Sequence, residues 1–249
     1  PPDLADDRRL DELSQSLQDQ IVQHSSDLEI EVEHVLRSQG IGPNRPTASI
    51  SQLVQLAQRA IEIGQSLIEP TAVYRHLDII KVQHERILLF EGHVIHSSLI
   101  VQHIAGATAL VVVLSTLGHK IDAPSTETQK SDPALALALD GFGSAAVETF
   151  TNVLCQQFER EAAERTLQTS IPLSPGMIGW PVDHGQPQIF NILDAQSLGV
   201  SMNTACVMTP RKSLSFVIGE GSSFQTGSKT CKYCAVQETC RYQDHYDPR

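Results

Sequence analysis

The chain has 249 residues, 41% of them hydrophobic and 19% charged, which suffices for the core of one large domain or of a domain with an appended piece. A net charge of −11, with no basic cluster larger than Arg211-Lys212, excludes a surface built for nucleic-acid phosphates or anionic lipid. The most apolar window, residues 104–118, is shorter than the roughly 20 residues that cross a bilayer, and it reads as a helix end followed by a buried strand.

Residues 1–24 are polar, with the acidic start PPDLADDRRLDE, and read as a frayed or partner-facing helix without chemistry, a segment of its own. Ser26-Asp27-Leu28-Glu29 is a capping-box pattern that opens a helix with the apolar stripe Leu28, Val32, Val35 and Leu36; Gly40 closes it. After the loop GIGPNRPTAS, Ser51 is expected to cap a second amphipathic helix through Leu53, Leu56, Ala60 and Ile61, which Pro70 breaks. Two strand-like runs follow, HLDIIKV and RILLFEG. HVIHSSLIVQHIAGA resumes helical spacing, and TALVVVLSTLG is a β-branched run of the kind buried on both faces of a sheet.

Asp122-Ala123-Pro124-Ser125 punctuates the chain. Asp132-Pro133 then supplies an N-cap with proline at the first helical position, opening a long helix to about Gln168. Inside it, Asp140 to Ala146 is a small-residue patch. Its two glycines cost about 1 kcal/mol each against alanine, which implies a close backbone neighbour or a ligand. Beyond Ser170 the texture changes: IPLSPGMIGWPVDHGQPQ holds four prolines, three glycines and the single tryptophan, and a loop so long and stiff is usually functional. PQIFNILDAQSLG reads as a helix stopped by Gly199, and VMTPRKSLSFVIGEG as a turn and strand. Residues 221–249 form a cysteine-rich tail after a domain spanning 25–220. Helices mixed with a few non-alternating strands indicate an α+β fold.

Three of the five cysteines, Cys231, Cys234 and Cys240, crowd the tail with C-x2-C-x5-C spacing. An odd cysteine count without a visible export signal points to a reducing, cytoplasmic compartment, where clustered thiols bind metal or do redox work more often than they form bridges. Two thiolates in a tight turn can grip one metal ion or one cluster edge. A reduced, unliganded tail and a disulfide are the blander alternatives. Three ligands are one short of a closed site, leaving the fourth to Cys206, His245, a partner residue or an open position. Cys155, among Val153, Leu154 and Phe158, reads as a small buried hydrophobe. His93, His96 and His103 read as a solvated or hydrogen-bonded face rather than a metal site.

LALDGFGSAAVETFTNVL, SPGMIGWPVDHGQ and IFNILDAQSLGVSMNTACVMTPRKSLSFVIG, together with the earlier VEHVLRSQG, ERILLFEG and ALVVVLSTLG, occur in an order and spacing that resemble the reactivation domain of cobalamin-dependent methionine synthase, and more closely its free-standing relatives, over about residues 30–220. The resemblance implies an activation-domain-like α+β fold with helices on a mixed or antiparallel sheet, S-adenosylmethionine as ligand, and a corrinoid-carrying methyltransferase as partner. It implies that an electron reduces the partner's oxidised cobalt and the sulfonium methyl group traps it.

Residue by residue, the resemblance makes Glu148 the carboxylate that meets the ligand's ammonium end. Pro175, Gly176 and Pro181 are the retained loop positions; Gly179 and Trp180 match the free-standing branch. Pro172 stands where the family has an arginine and Met177 where it has a tyrosine. Met208, Pro210, Ser213 and Ser215 match in the later segment, whereas Thr204 replaces a glutamate. His184 falls where the loop approaches the corrin. An electron-dependent role favours an iron–sulfur cluster over zinc at Cys231, Cys234 and Cys240. The second expectation is a non-catalytic electron-carrier or scaffold subunit that no longer binds S-adenosylmethionine.

Overall fold

The computed structural model describes residues 20–23, 28–42 and 50–224. Its frame is one antiparallel sheet of seven strands. In chain order these are β1 (Gln20–Gln23), β2 (Thr71–Gln83), β3 (Arg86–Leu89), β4 (Val94–His96), β5 (Ala107–Thr116), β6 (Gln168–Thr169) and β9 (Ser213–Gly221), while β7 (Ser201–Met202) and β8 (Met208–Thr209) make a separate two-stranded ribbon. The spatial order is β4-β3-β2-β5-β9-β6. β1 lies against the first half of β2, on the same edge that β3 occupies along its second half. β5, the uninterrupted β-branched run, is central and buried from Leu110 to Thr116, because both faces of the sheet are covered.

Alternation along the strands divides the interior in two. Even-numbered residues of β9 (Leu214, Phe216, Ile218) and odd-numbered ones of β5 (Val111, Val113) face the first core. That core is roofed by α1 (Val32–Ser38), α2 (Ser51–Gly64) and α5 (Pro133–Glu164), with α4 (Asp122–Thr128) packed beside α5. Leu110, Val112, Leu114 and Val217 face the second core, closed by α3 (Ser98–His103), α6 (Val182–Phe190) and the buried indole of Trp180.

The long helix is built as its sequence demands. The Asp132 carboxylate accepts from the Leu135 amide at 3.1 Å and Pro133 occupies the first turn. Its glycines mark close approach, the first of the two explanations the small-residue patch allowed. A β-carbon on Gly141 would lie 3.2 Å from the Val35 carbonyl of α1, and one on Gly143 would lie 2.8 Å from the Lys212 side chain. Phe142, between them, is fully buried, and its ring lies where Gly64 of α2 would carry a β-carbon. Gly64→Ala is therefore expected to destabilise the fold by about 1–3 kcal/mol, the range for overpacking a filled core. Chemical denaturation should show a lower midpoint with an unchanged slope.

Several sequence expectations need correction. Residues 20–23 form a strand rather than the end of a polar helix, because Val22 has the first core to pack against and the edge of β2 to pair with. Of the capping-box residues, Ser26 and Asp27 lie outside the described residues; Leu28 and Ile30 are buried from extended backbone, alternating with exposed Glu29 and Glu31, and the helix starts only at Val32. Ile50, not Ser51, precedes α2 and no side chain caps it. His93 to His96 leave the helical reading for β4, since Val94 and Ile95 pair with Leu88 and Ile87; α3 begins after Ser97, whose hydroxyl accepts from the Ile100 amide. The helix read at 187–199 begins at Val182 and ends at Phe190. Pro181, with φ −58°, sets its entry, and Pro187 sits inside it. Gly199, at φ +66°, stops a short 3-10 turn, as its sequence position suggested.

Candidate functional site

The loop from Ile171 to Pro181 is the most heavily constrained irregular segment, and its course defines the site. Leu173 exchanges two backbone hydrogen bonds with Val217, at 2.9 and 2.8 Å, and Ser170 donates its amide to the Gly219 carbonyl. The loop thus begins as a ragged continuation of β6 along β9, then leaves. Gly176 donates to the Trp180 carbonyl at 2.8 Å and Trp180 to the Met177 carbonyl at 2.9 Å, closing a tight turn with Ile178 exposed near its tip. Gly176 (φ +101°) and Gly179 (φ +90°) hold backbone conformations that favour glycine. A side chain on Gly179 would also strike Ser98 Oγ, 2.7 Å from its β-carbon.

Trp180 anchors this turn. It is fully buried against Pro175 and the bare backbone of Gly185 in α6, where a β-carbon would lie 2.7 Å from the indole. Its Nε1–H has no hydrogen-bond partner among the described residues. The next residue, buried Gln186, accepts from Ser215 Oγ at 2.9 Å and donates to Met208 Sδ at 2.9 Å, tying α6 to β9 and β8. Gln186 was not singled out in the sequence. Nothing local marks an amide in a Gly/Pro-rich segment as buried.

Beyond Leu173 no described strand runs along the outer edge of β9. Val217 turns its N–H and C=O toward the loop, so by antiparallel alternation Ser215 and Ser213 turn theirs the same way. No backbone group among the described residues pairs with them there. Ser213 Oγ instead donates to the Pro210 carbonyl (2.8 Å) and to Thr116 Oγ1 (2.9 Å), fixing the entry to β9 just after the cis Thr209–Pro210 bond. Buried strand groups nearly always find partners. Such a stretch beside a preorganised turn is where a ligand with donors and acceptors could be held.

Glu148 belongs to α5, the helix over the first core on the opposite face of the sheet. α5 runs alongside β9: its Asp140 and Ser144 bind Lys212 Nζ at 2.8 and 2.9 Å, and Arg165, just past its end, reaches Glu220. Glu148 stands one helical turn beyond Ser144, half-buried. The structure therefore sets Glu148 on the helix over the first core and Pro175, Gly176, Gly179 and Trp180 beside the second core, on opposite faces of the sheet. Pro210 and Ser213 lie at the start of β9.

The positions that depart from the resembled family are equally defined. Pro172 offers no donor at the bulge of the loop, and Met177 turns its sulfur back to the Ser174 amide at 3.5 Å. Thr204 and Cys206 sit in the β7–β8 turn, Cys206 half-exposed at φ +59°. His184 is exposed on the first turn of α6, and Cys155 is buried as expected. Cys231, Cys234 and Cys240 lie outside the described residues; among those described, no group of three His, Cys, Asp or Glu side chains could hold a metal ion. No described helix is long and apolar enough to cross a membrane.

No family model and no curated protein matches the chain. A solved structure described as the MetH reactivation domain bound to AdoHcy does, with a TM-score of 0.66 at 14% identity, covering 85% of this chain and 81% of that one. The chain has the α+β fold of that domain: a curled antiparallel sheet with helices on both faces.

Proposed function

We propose that the chain is an accessory module that docks on a corrinoid-carrying methyltransferase and supports reductive methylation of its oxidised cobalamin with S-adenosylmethionine. One observation carries the reading: a fold shared over 85% of the chain with a domain solved with AdoHcy bound. When bound, S-adenosylmethionine supplies the sulfonium methyl group.

What this chain offers such a ligand is partial but specific. Glu148 is the carboxylate that would meet the ligand's ammonium group, and the Ser213 and Ser215 backbone offers donors and acceptors to polar edges. The Trp180-anchored turn holds one wall in place before the ligand arrives, which lowers the ordering cost of binding. The carboxylate end lacks the forked cation that binds it best, because Pro172 has no charge and Lys212 is committed to Asp140 and Ser144.

Calorimetry tests the reading. The wild-type chain is expected to bind S-adenosylmethionine, and Glu148→Gln to weaken it by about tenfold, the scale of one charge-assisted hydrogen bond. Methylthioadenosine, which lacks the ammonium group, should bind both proteins alike. Absence of any binding to the wild type at millimolar ligand would sink the ligand role. Absence of methylcobalamin formation, followed by visible absorbance with a corrinoid partner and a reductant, would sink the docking role.

Pro172 and Met177 favour a second reading, a scaffold or electron-carrying subunit that keeps the fold without the ligand. The donor set Cys231, Cys234 and Cys240 suits an iron–sulfur cluster or zinc with a fourth ligand from elsewhere. Iron, sulfide and zinc quantitation after anaerobic purification separates the two metals, and iron without S-adenosylmethionine binding would favour this reading over the first.

A further inference from the structure

Four of the exposed large apolar side chains among the described residues, Ile80, Val82, Leu88 and Phe90, belong to the β2–β3 hairpin and its end. Ile87 and Leu89 of β3 are buried in the second core, so Leu88 points to the opposite face, and Phe90, in the turn that follows, is exposed beside it in sequence. Ile80 sits beside them, at the register break between Ile79 and Lys81, where Lys81 faces Leu88. Phe90 is held outward by its neighbour: Glu91 takes φ +61° and places its carboxylate 3.1 Å from the Arg75 guanidinium. Exposed Lys81 and Arg86 flank the patch. A contiguous apolar patch with a charged rim marks an interaction surface.

The chain's own N-terminal segment enters the sheet next to it. β1 and β3 share one edge of β2, with Gln20 opposite Tyr74 and Leu89 opposite Ile79. Because β1 is antiparallel to β2, the N-terminal end of β1 at Gln20 points along that edge toward Leu89. The five residue-to-residue steps from Tyr74 to Ile79 span about 17 Å. Residues 1–19 lie outside the described residues, but their sequence suits the patch: Leu10, Leu13 and Leu17 recur at i, i+3 and i+7, interleaved with Asp11 and Glu12.

We propose that residues 10–17 cover the Ile80–Leu88–Phe90 patch of their own chain, the leucines against the apolar side chains and the acidic residues against Lys81 and Arg86. The experiment replaces Phe90 in the full chain by the photo-crosslinking residue benzoylphenylalanine and irradiates an equal mixture of ordinary and isotope-labelled protein before mass spectrometry. The expected result is crosslinking of position 90 to residues 10–17 within one isotopic chain. Adding Leu13→Glu with Leu17→Glu should reduce the yield by about tenfold or more, the scale set by burying one leucine. Mixed-isotope crosslinks would assign the patch to a second copy and overturn the proposal. So would the absence of crosslinks to residues 10–17, or a yield indifferent to the double substitution.

Discussion

Trp180→Ala is expected to lower the unfolding free energy by about 3–5 kcal/mol, the cost of emptying a site that a large aromatic ring fills completely. The indole is fully buried, and Gly185 of α6 faces both it and Pro175, so its loss leaves a void beside a proline and a helix, neither of which collapses readily. Trp180→Phe should cost much less. Phenylalanine keeps most of the apolar contact and removes an N–H that has no partner among the described residues, and a buried unpaired donor is itself unfavourable by about 1–3 kcal/mol. The contrast can be read by urea denaturation of the three proteins. Equal losses for alanine and phenylalanine would mean that the indole N–H is satisfied by ordered water, and that part of the argument would fail. Because the same indole fixes the turn beside the outer edge of β9, ligand affinity in Trp180→Ala should fall further than in Trp180→Phe.

Arg165→Ala is expected to cost about 2–3 kcal/mol at neutral pH, and the deficit should shrink in acid. Glu220 is fully buried on β9, with Arg165 Nη2 2.8 Å from one carboxylate oxygen and His76 Nδ1 3.5 Å from the other. Burial alone would raise its pKa. The hydrogen bonds and charges of His76 and Arg165 outweigh burial and hold it below the usual carboxylate range. Removing one partner of a buried pair typically costs about 3–5 kcal/mol; the lower figure applies because Arg165 is half exposed and water can replace part of it.

The sign with pH follows from the direction of the shift. A carboxylate depressed in the folded state adds stability above its unfolded pKa, and that stability is lost as pH falls through the folded value. In Arg165→Ala burial dominates and Glu220 rises, so the variant is weakest where the carboxylate must stay charged. Thermal melts from pH 7 down to about pH 4 should therefore converge on the wild type. A gap that stays constant over that range would show that Arg165 acts through packing alone. Glu161 also faces this region, raising the pKa of Tyr74 together with burial, so Tyr74 should be monitored in the same melts.

How much of this was legible in the sequence depends on the range of the forces involved. Asp132-Pro133 and Gly40 announced helix ends correctly, and Gly199 a stop that closes a 3-10 turn rather than the helix expected there, because capping and left-handed backbone are decided within a few residues. The run TALVVVLSTLG announced a strand buried on both faces for the same reason. The boundaries that moved were those where tertiary pairing overrode local preference. Val94 and Ile95 became strand because β3 was there to receive them, and residues 20–23 became strand because β2 left an edge free. Glu148, Gly176, Gly179, Trp180, Pro210 and Ser213 were picked out one at a time, but their sequence spacing says nothing of which face of the sheet each joins.

The sequence by itself determined the α+β class, the long central helix with its close-packed glycines, and the stiffness of the loop carrying Trp180, since each follows from backbone sterics and apolar periodicity. Only the tertiary structure decided that Gln186 and Glu220 are buried and bonded, that Met177 folds back on its own turn, and that the backbone of Ser213 and Ser215 meets no partner along its outer edge among the described residues. The physical reason is that hydrogen-bond satisfaction and desolvation are properties of a site's whole surroundings. Those surroundings come from strands and helices far apart in the chain, and no stretch of residues carries them alone.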